Sequence, residues 1–146
     1  MNKNEILKQY FGHIEFRQGQ SELIDSILSG RDVFGLMPTG AGKSVCFQVP
    51  ALMLDGITLV ISPLISLMKD QVNALVQSGV KGAYINSSLS AGQNTEVLRR
   101  AASGAYKIIY IAPERLVTEE FIRFAQNTKI SLITVDEAHC VSQWGQ

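Results

Sequence analysis

Two short segments hold residue types whose spacing could do chemistry. The first is Met37-Pro38-Thr39-Gly40-Ala41-Gly42-Lys43-Ser44. Glycines let backbone N–H groups close on phosphate oxygens, a lysine reaches the β/γ-phosphates and a hydroxyl ligates Mg2+, all at a helix N-terminus. Thr39, Gly40, Ala41, Gly42, Lys43 and Ser44 fill that cradle. Met37 stands where the strict eight-residue pattern begins with glycine, but the Gly-x-Gly-Lys-Ser end is intact. A glycine-rich strand–helix turn with a solvated lysine is the duller alternative. The apolar run before the segment and the helical pattern after it argue against that. The second segment is Val135-Asp136-Glu137-Ala138-His139. Asp136, at a strand's carboxyl end, suits a phosphate-bound Mg2+, which keeps several waters and takes one or two carboxylates. Glu137, one residue on, points another way and can polarise an attacking water. Alone, an Asp-Glu pair is an ordinary helix cap; downstream of a phosphate loop it reads as a hydrolase pair. His139 has no metal-ligand partner, because His13 lies in a different element.

The elements that would position these residues alternate along the chain. Near-continuous apolar runs occur at Val33–Met37, Ile57–Ile61, Ala83–Ile85, Ile108–Ile111 and Leu132–Val135. Such runs mark strands buried on both faces of a parallel sheet. Between them, apolar residues at three- and four-residue spacing predict helices over Leu64–Val76, about Ser90–Ser103 and about Glu114–Asn127, with another at about Gln20–Leu28 before the first strand. The predicted fold is α/β, a doubly wound and mostly parallel sheet. Ligands on such sheets lie beyond the carboxyl ends of the strands, where both chemical segments fall.

Composition narrows the function classes. At 146 residues the chain reads as one domain, residues 1–146, with a real core. Thirteen Lys and Arg balance thirteen Asp and Glu, which excludes a polybasic protein; any nucleic-acid contact must be local. Two cysteines, Cys46 and Cys140, make neither a four-ligand zinc site nor a disulfide framework, and suit a reduced cytosolic chain. Cys46 sits among apolar helix residues and reads as packing. The first sixteen residues carry charges and no apolar core of a signal peptide. No apolar run reaches the roughly 20 residues of a membrane helix, so no membrane partner is expected.

Further segments carry a resemblance. Asp136-Glu137-Ala138-His139 is similar to the DEAH box of superfamily-two helicases, and the phosphate loop resembles their motif I, in which the missing first glycine is normal. More narrowly, the chain resembles the RecQ family of DNA helicases. Phe11-Gly12-His13 with Phe16-Arg17-Gln18-Gly19-Gln20 is similar to that family's motif 0. The run Ile61–Val72 resembles its motif Ia, and Tyr110-Ile111-Ala112-Pro113-Glu114-Arg115-Leu116 its Ala-Pro-Glu-Arg segment. His139–Gly145 resembles the start of its aromatic-rich loop. These matches run in order over nearly the whole chain.

The resemblance implies a P-loop NTPase lobe of RecA-like fold and a set of roles. Gln20 would read the adenine edge of ATP, supported by Arg17, with His13 stacked on the ring. Phe16 reads as packing. Lys43 and Ser44 would hold the phosphates and Mg2+; Asp136 would hold Mg2+ through water, Glu137 would act as general base, and His139 would join them in the catalytic set. Ser62, Lys69 and Arg115 lie in segments that contact the DNA strand, and Trp144 in the loop that couples DNA binding to hydrolysis. Lys69 could equally be a solvated helix face, and Arg115, near a predicted helix start, would oppose the helix dipole, which favours a job for it outside the helix.

The partners so implied are single-stranded or forked DNA and a second RecA-like lobe, in a cytoplasmic, nucleoid-associated bacterial protein. The expected function is the ATP- and Mg2+-binding motor lobe of a 3'–5' DNA helicase of recombination and repair, inactive as an isolated lobe. Gln146 falls inside the aromatic-rich loop, so the motif III strand, the second lobe and the zinc-binding and winged-helix modules are expected to lie outside this sequence. A non-catalytic nucleotide- or DNA-binding module is the alternative. A P-loop kinase is a third, and it needs neither motif 0 nor Ala-Pro-Glu-Arg.

Overall fold

The structure is a computed structural model that describes residues 2–17, 19–29 and 41–135, with residues 41–44 described for their backbone alone. The described residues form two compact units, Met1–Asp55 and Gly56–Gln146, where chain length reads as a single domain.

The first unit is helical. α1 (Lys3–Phe11) starts at a capping box in which Asn2 Oδ1 accepts from Glu5 N and Glu5 Oε1 accepts from Asn2 N. It ends at Gly12, whose φ of 72° is the left-handed conformation that favours glycine. α2 spans Gln20–Leu28 and α3 spans Ala41–Met53. The three helices share one apolar cluster: Ile6 and Leu7 of α1, Ile24 of α2, and Val45 and Val49 of α3, with Phe16 packed against it. α3 is buried on every side from Val45 to Ala51, as a helix that is apolar all round must be. Cys46 lies within that stretch, and burial pushes its thiol pKa up, which fits the packing role.

The second unit is a four-stranded sheet, all parallel, in the order β2-β3-β1-β4, with β1 at Ile57–Ile61, β2 at Gly82–Ile85, β3 at Ile108–Ile111 and β4 at Ile130–Val135. The connections are α4 (Ile65–Gln77), α5 (Ala91–Ala102), and a 3-10 turn at Pro113–Arg115 followed by α6 (Glu119–Gln126). From β1 to β2 the chain moves one way along the sheet; from β2 to β3 and from β3 to β4 it moves the other way. Right-handed crossovers therefore place α4 on one face and α5 and α6 on the opposite face.

The cores bear this out. Leu98 and Ala101 of α5 and Phe121 and Phe124 of α6 pack on Leu59, Ile85, Ile109 and Ile111. On the other face a Cβ at Gly82 would stand 3.6 Å from Leu75 of α4, and the Asn86 amide donates to the Met68 sulfur at 3.3 Å. All four β3 residues are buried, as the centre of a two-faced sheet requires. The predicted doubly wound α/β fold is therefore present.

Several boundaries differ from expectation. The helix expected over Glu114–Asn127 is broken, because the Thr118 hydroxyl accepts from Phe121 N at 3.3 Å and donates to Arg115 O at 2.8 Å, ending one turn and capping the next. Arg115 thus closes a short 3-10 turn and does not oppose the start of a helix, which removes the dipole argument made for it. α1 was not expected at all. The expected strand Val33–Met37 lies outside the described residues.

Candidate nucleotide and nucleic-acid sites

In the first unit, the loop from α1 to α2 carries the residues matched to motif 0. Gln20 opens α2 and is buried, and its Oε1 accepts from Arg17 N at 2.7 Å while its own N–H donates to Arg17 O at 3.1 Å. This reciprocal pair fixes the turn, with Gly19 as N-cap in the left-handed conformation at φ 86°. Gln20 Oε1 is therefore engaged with the protein at this turn. His13 and Arg17 stand exposed on the same loop. Beside them Ile14 is 84% exposed, an apolar residue that sequence reasoning passed over.

The backbone of Ala41, Gly42, Lys43 and Ser44 forms the first turn of α3. N–H groups in a first helical turn lack intrahelical acceptors and carry the positive end of the helix dipole, so this turn suits an anion. Thr39 and Gly40 lie outside the described residues. α2 and α3 pack together through Ile24, Val45 and Val49, so one rigid cluster supports both the motif 0 loop and the phosphate-loop helix. For Mg2+, the expected donors are hard oxygens, the Ser44 hydroxyl and the Asp136 carboxylate, which match that ion's preference. Among the described residues, no group of three or more His, Cys, Asp or Glu is gathered to hold a metal.

In the second unit, the carboxyl ends of three adjacent strands form one edge. Ser62 N donates to Ile111 O at 3.1 Å and Ala112 N donates to Ile85 O at 3.0 Å, tying the ends of β1, β3 and β2 together. Ser62 is fully buried, and its Oγ accepts from Leu64 N at 3.2 Å. It shapes the turn into α4 and offers little surface to a partner. Lys69 is exposed one turn into α4. Arg115 is half-buried; its Nε is buried with no hydrogen-bond partner among the described residues.

At the same edge Asn86 is fully buried. Its Oδ1 accepts from Ser88 N at 2.9 Å and from Ser88 Oγ at 2.5 Å, and its carbonyl accepts from Asn94 Nδ2 at 3.1 Å. Sequence reasoning missed this structural knot, which a polar triplet at a strand end could have signalled. β4 ends at Val135 on the same edge. Asp136, Glu137, His139 and Trp144 lie outside the described residues. A groove of about 320 Å³ between α5 and α6, lined by Leu98, Ala102 and Phe124, contains none of the expected site residues.

Among the described residues, no helix is long and apolar enough to cross a membrane. Comparison with known proteins now adds to the geometry. The chain is 53% identical over 141 residues to the ATP-dependent DNA helicase RecQ of Bacillus subtilis, which covers 96% of this chain and 24% of that protein. It is 48% identical over 140 residues to the protein of the same name from Haemophilus influenzae, covering 96% and 23% respectively. The chain thus spans about a quarter of the length of these curated relatives. Among solved structures, a hypothetical ATP-dependent RNA helicase from Sulfolobus tokodaii matches with a TM-score of 0.74 at 23% identity, over 99% of this chain and 44% of that one. That likeness shows a shared RecA-like fold. Residues 17–146 match the DEAD/DEAH box helicase family, and the chain belongs to that family.

Proposed function

We propose that this chain is the ATP- and Mg2+-binding motor lobe of a RecQ-like 3'–5' DNA helicase that serves recombination and repair. The observation that carries the proposal is the shared cluster of the first unit. It joins the loop of Arg17 and Gln20 to the helix that opens with Lys43 and Ser44. An adenine reader and a phosphate cradle on one support make a nucleotide site. Gln20 would read the adenine edge through its amide group, with His13 against the ring and Arg17 beside it. Thr39, Gly40, Ala41 and Gly42 would wrap the phosphates, Lys43 would neutralise them, and Ser44 with Asp136 would hold Mg2+. Bound Mg2+ would supply charge neutralisation at the phosphates. Glu137 would take the proton of the attacking water, with His139 as its neighbour.

The carboxyl edge of the second unit supports the nucleic-acid half of the proposal. Lys69 and Arg115 would meet phosphates of single-stranded or forked DNA, with Ser62 holding the turn between them and Trp144 stacking on a base. The bacterial relatives, together with a DNA partner, support a cytoplasmic, nucleoid-associated bacterial setting. Hydrolysis and unwinding by these 146 residues alone are expected to be negligible. The transition state in related NTPases draws about 10³–10⁵ in rate from an arginine, and here that arginine would come from a second RecA-like lobe.

DNA-stimulated phosphate release in the whole protein tests the proposal, with Glu137→Gln as the variant. The expected result is ATP binding retained and turnover lost. Wild-type turnover in Glu137→Gln would refute the assigned chemistry.

A further inference from the structure

We propose that Lys3 is a positioning residue for adenine recognition, holding the Arg17–Gln20 loop in shape from outside the nucleotide site. The inference rests on the adenine reading of Gln20 given above. Lys3 opens α1, and its ammonium reaches across to α2, donating to Ser21 Oγ at 2.5 Å and to Asp25 Oδ1 at 2.7 Å. The same nitrogen lies 5.9 Å from the centre of the Phe16 ring, at the outer limit of a cation–π contact. Lys3 is 19% exposed, so these interactions are only partly screened by water.

The geometry converges on one short segment. Phe16 precedes Arg17, whose backbone N–H is the donor held by Gln20 Oε1. Ser21 follows Gln20 on α2. One cation therefore contacts residues on both sides of the Arg17–Gln20 pair, the Phe16 ring before it and the Ser21 hydroxyl and Asp25 carboxylate after it. Without that cation Phe16 is free to shift in its apolar contacts and carry Arg17 away from Gln20. The Gln20 amide then loses its bond from the Arg17 N–H. Among the described residues Asp25 carries the anionic contact to Lys3, and Ser21 and Phe16 are neutral.

The experiment measures dissociation constants of fluorescent ATP and GTP analogues on the intact protein and four variants. Lys3→Met keeps the apolar stem and removes the charge; Asp25→Asn is milder and guards against misfolding; Lys3→Arg keeps the charge; Gln20→Ala removes the reader itself. Lys3→Met should lose about fivefold in ATP affinity while GTP affinity holds, the combined scale of a partly exposed ion pair and a cation–π contact. Asp25→Asn should lose less, and Lys3→Arg should recover most of the loss.

Equal weakening for ATP and GTP in Lys3→Met would reduce Lys3 to a general structural role and overturn the inference. Unchanged ATP preference in Lys3→Met and Asp25→Asn, with preference lost in Gln20→Ala, would overturn it while sparing the adenine reading. Preference retained in Gln20→Ala would overturn both.

Discussion

Arg115→Met should stabilise the fold while weakening nucleic-acid binding, two effects that a purely structural arginine would not combine. Arg115 ends the 3-10 turn after β3, and its backbone bonds, N–H to Ala112 O at 3.0 Å and carbonyl from Thr118 Oγ1 at 2.8 Å, do not depend on the side chain. Among the described residues the Nε is buried without a partner. A buried, unmet donor costs about 1–3 kcal/mol, and methionine fills much of the same apolar path without one. A gain near 1 kcal/mol is expected, which raises Tm by about 2–4 °C for a domain of this size. If Arg115 meets one phosphate of a single strand, the slope of log affinity against log salt should also fall by about 0.7. Thermal melts and fluorescence anisotropy with a labelled single strand at several salt concentrations measure both. A Tm lowered by several degrees with an unchanged salt slope would show that Arg115 serves packing alone, and would refute the reasoning.

Gly56→Ala should cost about 2–4 kcal/mol in chemical denaturation. Its φ is 95°, and a Cβ there would press on Ser131 Oγ and come within 2.9 Å of Lys129 O. Asn86→Ala should cost about 1–2 kcal/mol by the same assay, since it removes from a fully buried position the Oδ1 that accepts from Ser88 and the amide that donates to Met68. Hydrogen bonds from Arg99 and then Arg100 hold the Glu96 carboxyl at about 2, below its ordinary 4.5. A carboxylate depressed on folding stabilises above its unfolded value and loses that contribution as pH falls through the folded value. Between about pH 4.5 and pH 2, Glu96→Gln should therefore flatten the acid limb of stability, and added salt should shrink the difference between the two proteins, because the cluster is exposed.

The strands were legible because burial on both faces leaves no polar alternation, so Ile57–Ile61 and Ile108–Ile111 read directly as apolar runs. The β4 start at Ile130 was read two residues late, since Ser131 interrupts the run. The helix break at Thr118 was hidden because apolar spacing continues across it through Leu116 and Phe121, while the capping hydroxyl acts locally. α1 escaped notice because its apolar residues, Ile6, Leu7, Tyr10 and Phe11, span little more than one turn at four-residue spacing; its capping box and the reach of Lys3 to α2 are contacts that periodicity does not encode. At the candidate sites, residue types and spacing pointed to Lys43, and the family resemblance to Gln20 and Arg115. They could not show that Gln20 is already bonded to Arg17, or that Ser62 is turned inward by its bond to Leu64. Those facts belong to tertiary packing.

Nucleotide binding at the first turn of α3 is tested most directly by titrating a fluorescent ATP analogue into the wild type and Lys43→Ala. That substitution removes the charge facing the phosphates and leaves the backbone donors in place. Loss of most of the ATP affinity is the predicted result. Equal affinity in the two proteins would contradict the phosphate-loop assignment and the motor-lobe function built on it.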